Sequence, residues 1–482
     1  MLPLADLRLK ASLFSAACLT MFVCLASSPA QSISFREQIA PILVQRCLAC
    51  HGELKFQGEY QLHNFEAMLK AGESGEAAVT PGKPEESYLL QLISASDAGE
   101  RMPKDVAPLS TAEIAAIRQW IAAGAVFDGD DPQAELVSSV VWKHPEPPAA
   151  YPRPLPITAL AFRPDGQELA VSGLHEITIW NTADGVLARR IANAAERTYS
   201  LAYSADGKLL AAAGGTPGRL GEIKVFDPVE GKLLRHFGSM TDCAFDVAFS
   251  PDGAKLAGCG ADHAVRIWDA STGKSELVLK DHSDWVMAVA WSPDGVRLAT
   301  ASRDRTCKVF DALSGQLLLT YSDHGQTVHD VAFSSDGARV VSAGADQRIR
   351  VWHANDQGYE DKEMKKKKRE HIHEISGFGG EIFCLRMDQQ RVFAGSADAS
   401  VRQYDADKRN QLQLYAGHQE WVYALDYCPS ARLLATGSLD GQIRIWNTAE
   451  VDENKRNIAT FFAAPGYPSP AQNAPAGTEV KP

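Results

Sequence analysis

AFSPDG at residues 248–253 and VRIWD at residues 265–269 form one copy of a segment pair that recurs along most of this chain. The first segment returns as AFRPDG, AYSADG, AWSPDG and AFSSDG and, more weakly, as LRMDQQ and DYCPSA. The second returns as ITIWN, IKVFD, CKVFD, IRVWH, VRQYD and IRIWN. Most aromatic residues of the second segment recur about every 42 residues, the period of four-stranded propeller blades. They are Trp180, Phe226, Trp268, Phe310, Trp352, Tyr404 and Trp446. The seven cycles predict an all-β propeller of seven blades over residues 157–463.

These cycles resemble WD repeats, in which a His, a Ser, an Asp and a Trp form a buried hydrogen-bonded set within each blade. The resemblance implies that the complete set of the seventh blade is His418, Ser438, Asp440 and Trp446. The fourth blade keeps His282, Ser302 and Asp304 beside Phe310, and the fifth keeps His324, Asp346 and Trp352 but has Gly344 at the serine position. Because these residues recur at one blade position, we interpret them as structural and not as a catalytic or metal array.

Ahead of the repeats lies a short motif, Cys47-Leu48-Ala49-Cys50-His51. Two thiols three positions apart can each form a thioether to a haem vinyl group, and the adjacent imidazole can then ligate the iron. A redox dithiol would need a βαβ context and a zinc site would need a second ligand pair, and neither is nearby. The motif predicts one covalent haem c, with His51 as an iron ligand.

Met102 is the predicted second axial ligand, because it stands beside a Pro in a turn-rich stretch that can offer a thioether from a loop. The alternative is that Met102 packs against the haem edge, in which case His63 or Met68 is the substitute ligand.

Two helices are predicted to bracket this loop. One covers residues 35–47 and carries the haem motif at its C-terminal end. The other begins at a capping box of Ser110 and Glu113 and ends at Gly124.

Four stretches of this region resemble the planctomycete-type cytochrome c domain: FREQIAPILVQRCLACHG, VTPGKPEESYLLQLI, ERMPKD and LSTAEIAAIRQWIAAGA. The resemblance implies a small all-α, class I-like cytochrome c domain over residues 31–127. It also implies haem attachment at Cys47 and Cys50, with His51 proximal and Met102 distal. Lys104 follows Pro103 where similar sequences often have a second Pro.

The N-terminus reads as a Sec-type signal peptide over residues 1–30. A basic start with Arg8 and Lys10 precedes an apolar run over residues 11–26 and the small-residue site Ser28-Pro29-Ala30. The alternatives are an uncleaved anchor, although the run is shorter than the roughly 20 residues of a spanning helix, and a lipoprotein. We therefore expect a periplasmic or otherwise exported protein without a spanning segment in the mature chain.

Composition and linkers complete the organisation. The net charge of −12 argues against a nucleic-acid partner. Residues 128–156 predict an acidic and then Pro-rich spacer, and residues 464–482 a disordered tail. The insertion over residues 356–373 contains a basic run, Lys365 to Arg369, which reads as a solvated loop or as a docking arm.

The five later cysteines, Cys243, Cys259, Cys307, Cys384 and Cys428, are expected mostly as buried free thiols, with a Cys243–Cys259 bridge as the alternative.

Together these features predict an exported electron-transfer protein without catalytic residues, in which a haem domain is joined to a propeller that docks it on a redox protein partner. The alternatives are a redox enzyme whose propeller holds a second cofactor, and a haem-based sensor or scaffold. The absence of a second CxxCH motif weighs against the enzyme.

Overall fold

The computed structural model describes residues 33–52, 57–104, 106–129, 131–354 and 371–467 of the chain. The predicted signal peptide, the Lys365–Arg369 run and residues 468–482 of the predicted tail lie outside these ranges. No helix in the described residues combines the length and apolar character needed to cross a membrane. The helices are α1 (Ala40–Arg46), α2 (Leu48–His51), α3 (Phe65–Met68), α4 (Tyr88–Ser94), α5 (Thr111–Ala122), α6 (Leu136–Ser139) and α7 (Glu453–Arg456).

The N-terminal unit is helical, as predicted. A π-helical turn over Phe35–Ile39 runs directly into α1. Helix α5 begins at the predicted capping box, since the Ser110 hydroxyl accepts from the Glu113 N–H at 3.2 Å and the Glu113 carboxylate accepts from the Ser110 N–H at 2.6 Å. The helix stops before Gly124, whose φ of 100° suits glycine. Phe35 and Trp120 are fully buried, with ring centroids 5.3 Å apart, and they anchor the core between α5 and the first helical turns.

The predicted propeller is confirmed, with seven four-stranded antiparallel sheets in the described residues. The first blade comprises β1 (Leu160–Phe162), β2 (Glu168–Ser172), β3 (Glu176–Asn181) and β4 (Leu187–Ala192), and the second comprises β5 (Arg197–Tyr203), β6 (Leu210–Thr216), β7 (Leu220–Phe226) and β8 (Leu233–Met240). The third blade comprises β9 (Ala244–Phe249), β10 (Lys255–Gly260), β11 (Val265–Asp269) and β12 (Ser275–Leu279), and the fourth comprises β13 (Val286–Trp291), β14 (Arg297–Ser302), β15 (Cys307–Asp311) and β16 (Leu317–Tyr321). The fifth blade comprises β17 (Val328–Phe333), β18 (Arg339–Gly344), β19 (Ile349–His353) and β20 (His371–Ile375). The sixth comprises β21 (Ile382–Asp388), β22 (Arg391–Ser396), β23 (Ser400–Asp405) and β24 (Gln411–Ala416), and the seventh comprises β25 (Val422–Cys428), β26 (Leu433–Ser438), β27 (Gln442–Asn447) and β28 (Asn457–Phe462). Strand β20 shows that the last residues of the predicted insertion belong to the fifth blade.

The recurring S-x-D-G turn joins the first and second strands of a blade. In the third blade the Ser250 hydroxyl donates to Asp252 at 2.6 Å and accepts from the Lys255 N–H at 2.9 Å. Gly253 has a φ of 72°, a conformation that glycine adopts without strain. This local chemistry explains why the tetrapeptide returns at the corresponding turn of the second, third, fourth and fifth blades.

The ring closes by side-to-side packing of the seventh blade against the first, since the four strands of each blade are consecutive in the chain. The Phe162 N–H of β1 donates to the Asp426 carboxylate of β25 at 2.9 Å, and the Ser430 hydroxyl donates to the Pro164 carbonyl at 2.8 Å. Ile157 and Leu160 of the first blade share a buried apolar cluster with Ile443 and other residues of the seventh. A hydrophobic seam with carboxylate-to-amide bonds therefore completes the circle.

The segment predicted as a spacer is packed against the first two blades. Helix α6 places Leu136 in the core of the helical unit and lies against β8 of the propeller. Further on, the Tyr151 hydroxyl donates to the buried Glu176 carboxylate at 2.6 Å, and the His144 ring contacts the buried Glu222 carboxylate. The connection therefore runs along the propeller surface instead of standing free in solvent.

All seven cysteines in the described residues are free thiols. The five in the propeller are buried, which confirms the expectation for most of them, and the alternative Cys243–Cys259 bridge does not form.

Candidate functional site

The cysteine–histidine motif forms a single helical turn at the end of α1. The N–H groups of Cys50 and His51 both donate to the Cys47 carbonyl at 3.1 Å. All three side chains are partly exposed, while Cys47 and Leu48 also pack against the core of the helical unit, so the turn lies at the edge of that core. Burial of its sulfur raises the pKa of the Cys47 thiol to about 12, which keeps that thiol protonated. The sequence-predicted pair of thiols and the imidazole are thus brought together by local helix geometry.

The His51 imidazole is oriented by a backbone carbonyl. Its Nδ1 lies 3.2 Å from the Tyr60 carbonyl oxygen, and a protonated Nδ1 donates to that oxygen. The Tyr60 ring also meets the imidazole edge-on, with centroids 5.4 Å apart, and its hydroxyl donates to the Met68 carbonyl at 2.9 Å. This contact selects the tautomer in which Nε2 carries a lone pair, the state needed for metal ligation.

The candidate distal residues occupy different environments. Met102 is partly buried and packs against the same hydrophobic core as Cys47, and its N–H donates to the Leu92 carbonyl at 3.1 Å. Met68 is completely buried in α3. The His63 Nδ1 is buried and has no hydrogen-bond partner in the described part of the chain. Met102 is therefore the more accessible of the two thioethers.

An ion pair connects the motif-bearing helix to α5. The Arg46 guanidinium lies 3.1 Å from the Glu113 carboxylate, beside the capping box described above. The Arg46 side chain lowers the pKa of Glu113 to about 2. Glu113 therefore both caps α5 and holds the end of α1.

The blade hydrogen-bond sets differ from the predicted ones in their hydroxyl residue. In the seventh blade, His418 Nε2 and Trp446 Nε1 lie 2.7 Å and 3.0 Å from the Thr436 hydroxyl, so Thr436 and not Ser438 is the shared partner. Ser438 instead donates to the Glu420 carbonyl at 3.1 Å. The prediction of Ser438 was wrong because residues two apart on a strand point to the same face.

The same two-residue correction applies to the fourth and fifth blades. His282 Nε2 lies 2.7 Å from the Thr300 hydroxyl, not that of Ser302, and its Nδ1 lies 2.8 Å from Asp304. In the fifth blade, Ser342 fills the position assigned to Gly344. Its hydroxyl lies 2.8 Å from His324 Nε2 and accepts from Trp352 Nε1 at 3.1 Å, while His324 Nδ1 lies 3.0 Å from Asp346. The fourth and fifth blades therefore pair their histidine with both a hydroxyl and an aspartate. In the seventh blade the buried His418 Nδ1 has no hydrogen-bond partner among the described residues, and Asp440 instead accepts from the Gln419 N–H at 3.3 Å, so the predicted inclusion of Asp440 in that set was wrong.

Sequence reasoning missed the aromatic side chains of the first strands that line the central channel, among them Phe245, Phe383 and Tyr423, and the two tryptophans that contact them. On one side Phe245 lies 5.5 Å from Trp285, and on the other Phe383 lies 5.4 Å from Trp421 and 5.0 Å from Tyr423. The repeated tetrapeptides HSDW and HQEW, at residues 282–285 and 418–421, were the signal that could have revealed the two tryptophans. Exposed aromatic residues of this kind are common in protein-binding surfaces.

Comparisons with known proteins agree with this division of the chain. Residues 47–105 match the family model for planctomycete cytochrome C, and residues 231–269, 273–311, 315–353 and 409–447 match that for the WD domain, G-beta repeat.

Short segments also resemble curated proteins. A segment of 64 residues is 33% identical to the serine-threonine kinase receptor-associated protein of Bos taurus, covering 13% of this chain and 18% of that protein. Another of 76 residues is 36% identical to WD repeat and FYVE domain-containing protein 1 of Mus musculus, covering 15% and 18%. A third of 67 residues is 31% identical to the kinesin-like protein KIF21B of Homo sapiens, covering 14% and 4%. The chain spans less than a fifth of the length of these relatives. The chain thus has a helical region that matches the planctomycete cytochrome C model over residues 47–105, followed by a seven-bladed β-propeller of which four segments match the WD-repeat model.

Proposed function

We propose that this protein is an exported c-type cytochrome that binds one covalent haem and transfers electrons, with its propeller docking the haem domain on a protein partner. The observation that carries the proposal is the contact between His51 Nδ1 and the Tyr60 carbonyl, made within the turn that also carries Cys47 and Cys50. A metal-ligating histidine ordinarily donates a hydrogen bond to such an acceptor from the N–H of its second ring nitrogen.

The residues present fit a covalently held haem. Cys47 and Cys50 would hold it through thioethers, and His51 would ligate the iron through Nε2. When bound, the haem would supply one-electron chemistry. Met102 would supply a thioether ligand to the iron, and ligation by two side chains would favour electron transfer over chemistry on a small substrate at the metal.

The chain's own residues would hold this centre rigid. The Tyr60 carbonyl prevents rotation of the His51 ring, and the Arg46–Glu113 ion pair fixes the helix end that carries both thiols. Rigidity at the attachment turn limits rearrangement between the two oxidation states, which favours rapid electron exchange.

The propeller supports a docking role. WD-repeat propellers bind proteins, and this one offers a channel mouth lined with partly exposed aromatic rings. Its packed connection to α6 would hold the haem domain at a constant position beside the first two blades. A partner bound to the propeller would then meet the haem domain in a defined orientation.

The decisive experiment is expression of the full chain in a bacterial periplasm competent for cytochrome c maturation. We expect haem that remains with the polypeptide after denaturation and extraction. The Cys47→Ala/Cys50→Ala variant should lose covalent haem, whereas a matched Cys243→Ala/Cys259→Ala variant should keep it. Extraction of haem from the unmodified protein, or its retention by the first variant, would contradict the proposal.

A further inference from the structure

The fourth and seventh blades carry a tryptophan at the same position. Trp285 and Trp421 each stand three residues after the histidine of the blade hydrogen-bond set and directly before the first strand. In each of these blades, the residue directly after the second strand donates a backbone hydrogen bond to the tryptophan carbonyl. Arg303 N–H donates to the Trp285 carbonyl at 2.9 Å, and Leu439 N–H donates to the Trp421 carbonyl at 3.0 Å. Arg303 and Leu439 are therefore structural equivalents.

In the fourth blade this position holds a cation. The Arg303 guanidinium carbon lies 3.9 Å from the centroid of the Trp285 ring, and its Nε lies 2.9 Å from the Asp284 carboxylate. Phe245 of the preceding blade packs on the same tryptophan, with centroids 5.5 Å apart. The tryptophan and the acid next to it in sequence thus form a two-part receptor for one guanidinium.

The seventh blade has the same receptor without the cation. Phe383 of the preceding blade lies 5.4 Å from Trp421 with an interplanar angle of 27°, where Phe245 lies 5.5 Å from Trp285 with an angle of 52°. Glu420 stands where Asp284 stands, but Leu439 replaces the arginine. Trp421 is 46% exposed, and Glu420 is exposed and forms no ion pair with any described residue.

We propose that Trp421 and Glu420 bind an arginine side chain from an extended basic segment of a partner protein. The bound guanidinium would stack on Trp421 and pair with Glu420, as Arg303 does on its own blade. A planar guanidinium satisfies both requirements better than an ammonium group does. The chain's net charge of −12 also favours a basic partner. The proposal deepens the docking role proposed above and is independent of haem binding.

The probe is a short peptide, acetyl-Gly-Ser-Arg-Ser-Gly-amide, titrated with the full-length protein and observed by proton NMR. Stacking on an indole face should move the arginine δ-methylene signals upfield through the ring current. The matched peptide with citrulline, which has a similar shape but no charge, should show no such shift. Equal binding of the two peptides would overturn the proposal.

Two variants test the site itself. Trp421→Ala should weaken peptide binding by about fivefold or more and remove the upfield shift. Leu439→Arg should also block binding, because the new guanidinium would cover Trp421 as Arg303 covers Trp285. The matched Trp285→Ala variant should bind normally. Unchanged binding by Leu439→Arg, or equal loss in Trp285→Ala, would refute the assignment.

A last variant separates this proposal from the haem proposal. The Cys47→Ala/Cys50→Ala protein should bind the peptide as well as the unmodified protein does. Failure of the unmodified, haem-containing protein to bind the peptide would refute the arginine site alone. Peptide binding by unmodified protein that acquires no covalent haem in a maturation-competent periplasm would refute the cytochrome proposal alone.

Discussion

Replacing Thr436 with valine should destabilise the propeller more than replacing the neighbouring Ser438 with alanine. Thr436 is completely buried, and its hydroxyl accepts from Trp446 Nε1 at 3.0 Å and lies 2.7 Å from His418 Nε2. Valine keeps the branched shape and removes only the oxygen, so the packing volume is preserved. Two buried polar groups lose their partner, and each orphaned group costs about 1–3 kcal/mol.

We therefore expect Thr436→Val to lower the free energy of unfolding by about 3 kcal/mol. Ser438→Ala is the matched control. Ser438 is equally buried, but its hydroxyl makes only longer bonds, donating to the carbonyl of exposed Glu420 at 3.1 Å and accepting from the N–H of partly exposed Asp440 at 3.3 Å. Its loss should therefore cost about 1 kcal/mol. With a urea slope of about 3 kcal/mol per molar, the first change would move the midpoint by about 1 M. Urea unfolding followed by circular dichroism measures both. An equal or larger effect of Ser438→Ala would refute the assignment of Thr436 as the shared partner.

Two further predictions concern the cytochrome domain. Met102→Ala should abolish the weak charge-transfer band of a ferric His/Met haem and lower the reduction potential, because a thioether favours ferrous iron. Met68→Leu should leave both unchanged, and an unaltered spectrum in Met102→Ala would exclude Met102 as the ligand. Glu113 has its pKa lowered from 4.5 to about 2 by Arg46, so its ion pair stabilises the folded domain fully above about pH 4.5 and loses this effect as the pH falls towards 2. Glu113→Gln should therefore flatten the acid limb of thermal stability measured between pH 5 and 2, and an unchanged slope would contradict this.

Much of the fold could be predicted from the sequence because its determinants are local or periodic. The haem-type motif lies on one turn of helix, and the capping box joins Ser110 and Glu113, which are three positions apart, so both depend only on near neighbours in the sequence. The blade number follows from the seven recurrences of the aromatic strand segment, from Trp180 to Trp446, and four blades also carry an S-x-D-G turn that is stabilised by bonds within itself, as at Ser250. These features can therefore be predicted without knowledge of contacts between residues that are distant in the sequence.

Other features were decided by tertiary structure. The hydroxyl of the blade set could lie at Thr436 or Ser438, which share a strand face, and only the packing of His418 against that face selects Thr436. The acceptor for His51 is a backbone carbonyl, that of Tyr60, and a carbonyl has no signature in the sequence.

Two features could not be predicted from the sequence: the contacts that close the ring, and the exposed tryptophan of the proposed arginine site. Asp426 of the last blade accepts a hydrogen bond from the Phe162 N–H of the first blade, although 264 positions separate the two residues in the sequence. No local sequence pattern predicts this contact. Trp285 and Trp421 look alike in their tetrapeptides, yet one is covered by Arg303 and the other is exposed. The difference depends on a residue from another strand, which folding alone brings to the ring. The sequence thus determined which local units form, whereas the tertiary structure decided which of their surfaces and polar groups find partners.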